Sequence, residues 1–119
     1  MATITATLNR AAKVASRDVW IVQWPAMGNA DTGTSVRMSG ASDRSVQIEG
    51  TFGGATVVIQ GSNDGTNWQT LTDPQGNAIS KTAASLEQIA ELTQYVRAVT
   101  SGGTGTNLNV TLLLKGMSI

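Results

Sequence analysis

The chain has no cysteine and no histidine, and only two prolines, in 119 residues. Without cysteine there is no disulfide framework, thiolate nucleophile, thiolate-ligated zinc or iron–sulfur cluster. Without histidine the commonest general base and the commonest metal ligand are both missing. Charge is scarce as well: Asp, Glu, Lys and Arg make up 13% of the chain, against roughly 25% in typical soluble domains. Eight basic residues balance eight acidic ones, so there is no basic field of the kind that neutralises nucleic-acid phosphates. No apolar run reaches the length of a membrane span. The start, MATITATLNR, lacks a charged segment followed by an apolar one, so no secretory signal is read there. These absences argue against an enzyme, a nucleic-acid binder and a membrane protein, and no metal or cofactor is expected.

Ser, Thr and Gly stand where charge would be. A near-neutral surface of hydroxyls, amides and small residues resists association poorly, which suits a protein that sits against a partner. The length fits one domain with a modest core, spanning residues 1–119.

Hydrophobicity recurs with period two. Ile4, Ala6 and Leu8 alternate with threonines, as in a strand with one buried face. Residues 19–24 place Trp20, Val22 and Trp24 on one face and Val19 and Ile21 on the other. Pro25 is expected to end that strand, with a loop over 26–33 and a short strand over 34–38. In 45–52, Val46, Ile48, Gly50 and Phe52 share a face. Gly53-Gly54 turns the chain into a strand over 55–61, and 62–67 turns it again into a return over 68–72. Asp64-Gly65 is a favourable turn pair. After a turn-rich 73–78, Leu86, Ile89 and Leu92 recur at helical spacing, and Ser85 with Gln88 fits a capping box. This predicts a short helix over 85–92, with an irregular extended segment as the alternative. Strands follow at 93–101 and 108–115, the latter with Leu108, Val110, Leu112 and Leu114 on one face.

About eight short strands at this spacing read as an all-β sandwich. A jelly-roll-like arrangement is the expectation and an immunoglobulin-like one the alternative. The Thr-rich N-terminal strand pairs either within its own sandwich or with a neighbouring copy. The second choice would favour an oligomer.

Few residues carry chemistry. Asp18, Asp31, Asp43, Asp64 and Asp73 are scattered singly, with no calcium-loop spacing. The glycine-rich turns lack the lysine of a phosphate loop. Asn63, Asp64 and Trp68 read either as a turn over a buried tryptophan or as a sugar contact, the ring stacking on a pyranose. Trp20 and Trp24 are core residues or, if exposed, anchors for a partner. Arg97 pairs with Glu49 or Glu91 in the chain, stays solvated, or meets a carboxylate of a neighbouring subunit.

The run G-S-N-D-G-x-x-W from Gly61 to Trp68 resembles the S-x-D-G-x-x-W hairpin of galactose-binding-like, discoidin-type β-sandwiches. The stretch 45–115, including TQYVRAVTSGGTGTNLNVTLLLK, is more similar to small structural proteins of tailed bacteriophages of the capsid decoration or cement type. That resemblance implies a non-enzymatic virion protein on the head surface, made in the host cytoplasm. Its implied partners are the major capsid protein and copies of itself, with a trimer favoured. It implies no catalytic residues. The alternative is a carbohydrate-binding module of a tail fibre or cell-surface protein.

Overall fold

A computed structural model describes residues 3–10, 19–37 and 43–115, and the side chains of all of these except 8–10. Asp18, most of the segment before β3 and the last residue of the 34–38 prediction lie outside them. The described residues form strands and turns only: β1 (Thr3–Ile4), β2 (Thr7–Arg10), β3 (Val19–Met27), β4 (Thr32–Gly33), β5 (Val36–Arg37), β6 (Asp43–Thr51), β7 (Thr56–Ser62), β8 (Gln69–Thr70), β9 (Ser80–Lys81), β10 (Ser85–Gln88), β11 (Tyr95–Ser101) and β12 (Asn107–Lys115). No helix long and apolar enough to cross a membrane occurs among them.

The strands make two sheets. One has the order β10-β6-β12-β3-β2; the other runs β1-β4-β11-β7-β8, with β5 also on β11 and β9 also on β7. Counting β4 with β5 and β8 with β9 as single interrupted strands, the pairing is nested. The strand β3 pairs with β12, β4/β5 with β11, β6 with β10, and β7 with β8/β9. From β3 onward, first with last, second with next-to-last, and so inward, is the winding of a jelly roll. An immunoglobulin-like sandwich would not place β12 between β6 and β3.

Alternation builds the core. Val46 and Ile48, Val57 and Ile59, Val96 and Ala98, and Leu108 to Leu114 at every second residue are all buried between the sheets. Their neighbours face outward, so each strand contributes one apolar row to the interior. Trp24 and Met27 are the largest side chains with no exposure.

Two expectations are corrected, and one left open is decided. Pro25 does not end β3. Trp24 pairs with Val110 and Met27 with Leu108, so Pro25 and Ala26 together face Asn109 alone. This β-bulge gives the proline a place where no ladder hydrogen bond is asked of it. Ala26 takes φ 53° there, and its N–H donates to the Asn109 side chain at 3.2 Å. The predicted 26–33 loop is thereby shortened at both ends, by β3 and by β4.

The predicted helix over 85–92 is also absent. Ser85–Gln88 pairs antiparallel with β6, and Ile89 alone of the three helix-spaced residues is buried; Leu86 and Leu92 are each 67% exposed. Cross-strand pairing satisfied the backbone more fully than a helix of about two turns, whose nucleation is unfavourable.

Of the two pairings open to the N-terminal strand, the structure shows the one within its own chain. Its first part, β1, lies parallel to β4 in one sheet, and its second part, β2, lies antiparallel to β3 in the other. Ile4 O accepts from Thr34 N at 2.8 Å, and Ala6 N donates to Thr34 Oγ1 at 2.9 Å. Ile4 and Ala6 pack against the core, so the arm closes one open side of the sandwich.

Candidate binding surfaces

The hairpin from β7 to β8 is built around Asp64. Its Oδ1 accepts from Ser62 Oγ, Thr66 N and Asn67 N, each at 2.8 Å, and its Oδ2 accepts from Asn67 Nδ2 at 2.7 Å. Donors from the Asn67 and Thr66 backbone, then from the Asn67 and Ser62 side chains, hold its pKa well below the ordinary carboxylate range. Asn63 Oδ1 accepts from Gln94 N at 3.1 Å, tying the loop to the segment before β11. Asn63 and Asp64 therefore have their acceptors engaged within the fold. A cleft of about 410 Å³ runs beside this hairpin, edged by Asn67, Gln69, Thr70, Glu91 and Thr93.

Trp68 is half-buried, and the guanidinium carbon of Arg97 lies 4.2 Å from its ring centroid. Arg97 Nε donates to Gln60 Oε1 at 2.8 Å. Neither in-chain carboxylate expected for Arg97 is its partner. Glu49 is exposed on the five-stranded sheet, and Glu91 accepts from Thr72 N at 2.7 Å and from the Thr72 hydroxyl. Burial pushes the Glu91 carboxyl up, but hydrogen bonds from the Thr72 hydroxyl and N–H and from its own backbone outweigh it and lower its pKa from the ordinary value. The structure thus brings Trp68 and Arg97 together with Gln60, and keeps Trp20 and Trp24 away from them. Trp24 is fully buried, with Nε1 donating to Thr34 O at 2.9 Å; Trp20 is half-buried against the core.

Two groups escaped sequence reasoning. Arg44 is 3% exposed; its Nη1 donates to Glu91 O and Thr93 Oγ1, and its Nη2 to Thr93 O at 2.6 Å. It stitches β6 to the strand-linking segment before β11. The triplet Asp43-Arg44-Ser45 has the polarity of a loop, and only the inward parity shared with Val46 would have marked it. The other is Lys81, whose ammonium meets Glu87 at 2.9 Å and clips β9 of one sheet to β10 of the other.

The outer face of the five-stranded sheet is nearly free of charge at its centre. Ile21, Ser45, Gln47, Leu86, Thr111 and Leu113 line a depression of about 310 Å³ there. Leu113 is 42% exposed beside the more exposed Leu86. No group of three or more side chains able to hold a metal ion occurs among the described residues.

No family model matches this chain, and no curated protein matches it. Among solved structures it is similar to one titled "Crystal structure of SPBc2 prophage-derived protein YomS". That superposition has a TM-score of 0.64 and 12% sequence identity, over 86% of this chain and 98% of that one. At such identity the shared property is the fold: nearly the whole of both chains follows the same all-β course.

Proposed function

We propose that this chain is a non-enzymatic structural protein of a tailed-phage particle, and more narrowly a decoration protein that binds the outside of the head and bridges subunits of the major capsid protein. The observation that carries the reading is the jelly-roll winding shared along 86% of the chain with a prophage-derived protein. Jelly rolls recur in viral capsid domains. The commitment of polar side chains adds support. Arg44, Asp64 and Glu91 are engaged in holding segments of the fold together, which suits a stiff adhesive block.

The mechanism is additive. A rigid sandwich presenting two chemically different faces touches more than one shell subunit, and separating those subunits then requires breaking its contacts too. Many equivalent sites multiply a modest contact energy. In this reading the partners are the major capsid protein and other copies of the chain, a trimer being favoured. Nucleic acid, membrane and cofactors have no part in it, and the protein resides on the virion head.

Quantitative mass spectrometry of purified particles, scaled to the major capsid protein, tests this. Hundreds of copies in a simple ratio to the shell subunit are expected. A dozen copies or fewer would move the protein to the tail or connector. Absence from particles would overturn the reading.

A further inference from the structure

The acidic residues of the strands are confined to one sheet. Strands of the seven-stranded sheet contain Arg37, Lys81 and Arg97 and no Asp or Glu, while the five-stranded sheet carries Asp43, Glu49 and Glu87 together with Arg10, Arg44 and Lys115. Lys81 is matched by Glu87 across the gap. Arg37 and Arg97 both lie on the outer face: Tyr95 is in register with Arg37, and Arg97 with Gln60. Both registers alternate with those of the buried Val96 and Ala98.

Arg97 is held in an unusual way for a surface arginine. Gln60 takes its Nε–H, and Trp68 covers one face of its plane. These two contacts fix the orientation of the guanidinium and consume neither terminal nitrogen. Among the described residues no acceptor is hydrogen-bonded to the Nη groups. Asp64 is closed inside its hairpin, and Glu91 is taken by Thr72. A half-buried cation with its fork oriented matches the two oxygens of a carboxylate, and prior ordering reduces what is lost on binding.

We infer that Arg97 is a preformed receptor for a carboxylate, and that the outer face of the seven-stranded sheet docks against an acidic protein surface. The identification of that surface with a particle subunit rests on the function proposed above. An acidic side chain fits better than an acidic sugar. The guanidinium occupies a face of Trp68 on which a pyranose would stack, and the nearby Asn63 and Asp64 acceptors are already engaged.

The test has two arms. In the first, the ¹⁵N-labelled protein is titrated with poly-L-glutamate and, separately, with polygalacturonate. Poly-L-glutamate should shift the Arg97 Nε–H and Trp68 indole resonances, leave Lys81 and Lys115 unmoved, and lose this effect in Arg97→Gln. Arg97→Lys should recover little, because an ammonium lacks the fork. Tighter binding of polygalacturonate would overturn the protein assignment in favour of a saccharide. Shifts spread equally over all cations, or none at Arg97, would overturn the receptor itself. In the second arm, phage heads lacking the protein are mixed with wild type and with Arg97→Gln. The variant should bind about tenfold to a hundredfold more weakly, as for loss of one charge-assisted pair at an interface. Equal binding would overturn the docking face. No binding by wild type would instead overturn the proposed function, and the titration would still decide the carboxylate site.

Discussion

The indole of Trp24 occupies the space that a side chain on Gly33 would need. A Cβ built on Gly33 would lie 2.6 Å from the ring atoms Cδ1 and Nε1 of Trp24, and 3.0 Å from Ala98 O. Gly33 thus lets β4 approach β3 closely enough for the Trp24 N–H to reach Thr34 O. Gly33→Ala should destabilise the fold by about 1–3 kcal/mol, the range for overpacking a filled core. A urea midpoint lowered without a change in the slope of the transition is the expected result; an unchanged midpoint would show that the ring can move aside.

Arg44 offers a second check. Arg44→Met keeps the apolar stem but strands the carbonyls of Glu91 and Thr93. Leaving these partly buried acceptors unmatched should cost about 1–3 kcal/mol in total. Thermal melts should show a lower Tm, and amide exchange should accelerate in 89–94 before it does in β7. Uniform acceleration would mean that Arg44 does not act locally.

Ala26 and Ala30 both adopt left-handed backbone, with φ of 53° and 54°. Ala26 belongs to the bulge opposite Asn109, and Ala30 to the turn before β4. An L-residue is disfavoured there by about 1 kcal/mol, partly offset in the unfolded chain by the freedom of glycine. Ala26→Gly and Ala30→Gly should each raise stability by a few tenths to about 1 kcal/mol, read as a higher urea midpoint. A fall at either position would mean that the alanine methyl is a packing contact.

Acid should weaken the protein in a defined direction. Asp64, Asp73 and Glu91 all have depressed pKa values in the fold. For Asp73 the Asn77 N–H is the main cause, working against burial, with Gln75, Glu87 and Lys81 assisting. A carboxyl whose folded pKa is depressed contributes stability that is complete above its unfolded value, about 4, and is lost as pH falls from there toward the folded value. Urea midpoints should therefore be flat from pH 7 to about 5 and fall below about 4. Asp64→Asn, which cannot titrate, should lower stability at neutral pH and reduce that acid-induced fall. An acid dependence identical to wild type would remove Asp64 from the account.

Much of the sandwich was legible in the sequence because alternation is a local signal. Val46 with Ile48, and Leu108 through Leu114, place their own strands whatever the partners are. Pairing order was not legible, since the nested winding depends on contacts between residues as distant as Val22 and Leu112. Pro25 misled for a related reason: proline excludes a ladder bond, but a bulge in β3 itself, opposite Asn109 of β12, allows the strand to continue. Leu86, Ile89 and Leu92 had the spacing of a helix without its burial. At the candidate surface, Trp68 and Arg97 were each visible in the sequence, but their contact was not. It follows from the register of β11 on β7, which brings Gln60 opposite Arg97.

The nested winding also sets an order of assembly. The strand β12 lies between β6 and β3, at the middle of its sheet, although it is the last of the twelve along the chain. Until residues 107–115 have left the ribosome, β3 and β6 have no common neighbour, and the row Val22, Trp24, Val46 and Ile48 has no central partner. Other pairings have both of their strands earlier: β2 with β3, β6 with β10, and every pair of the seven-stranded sheet, in which the β7–β8 hairpin closes over a short loop. The five-stranded half must therefore form after translation has passed β12, and until then a chaperone would find its apolar rows open.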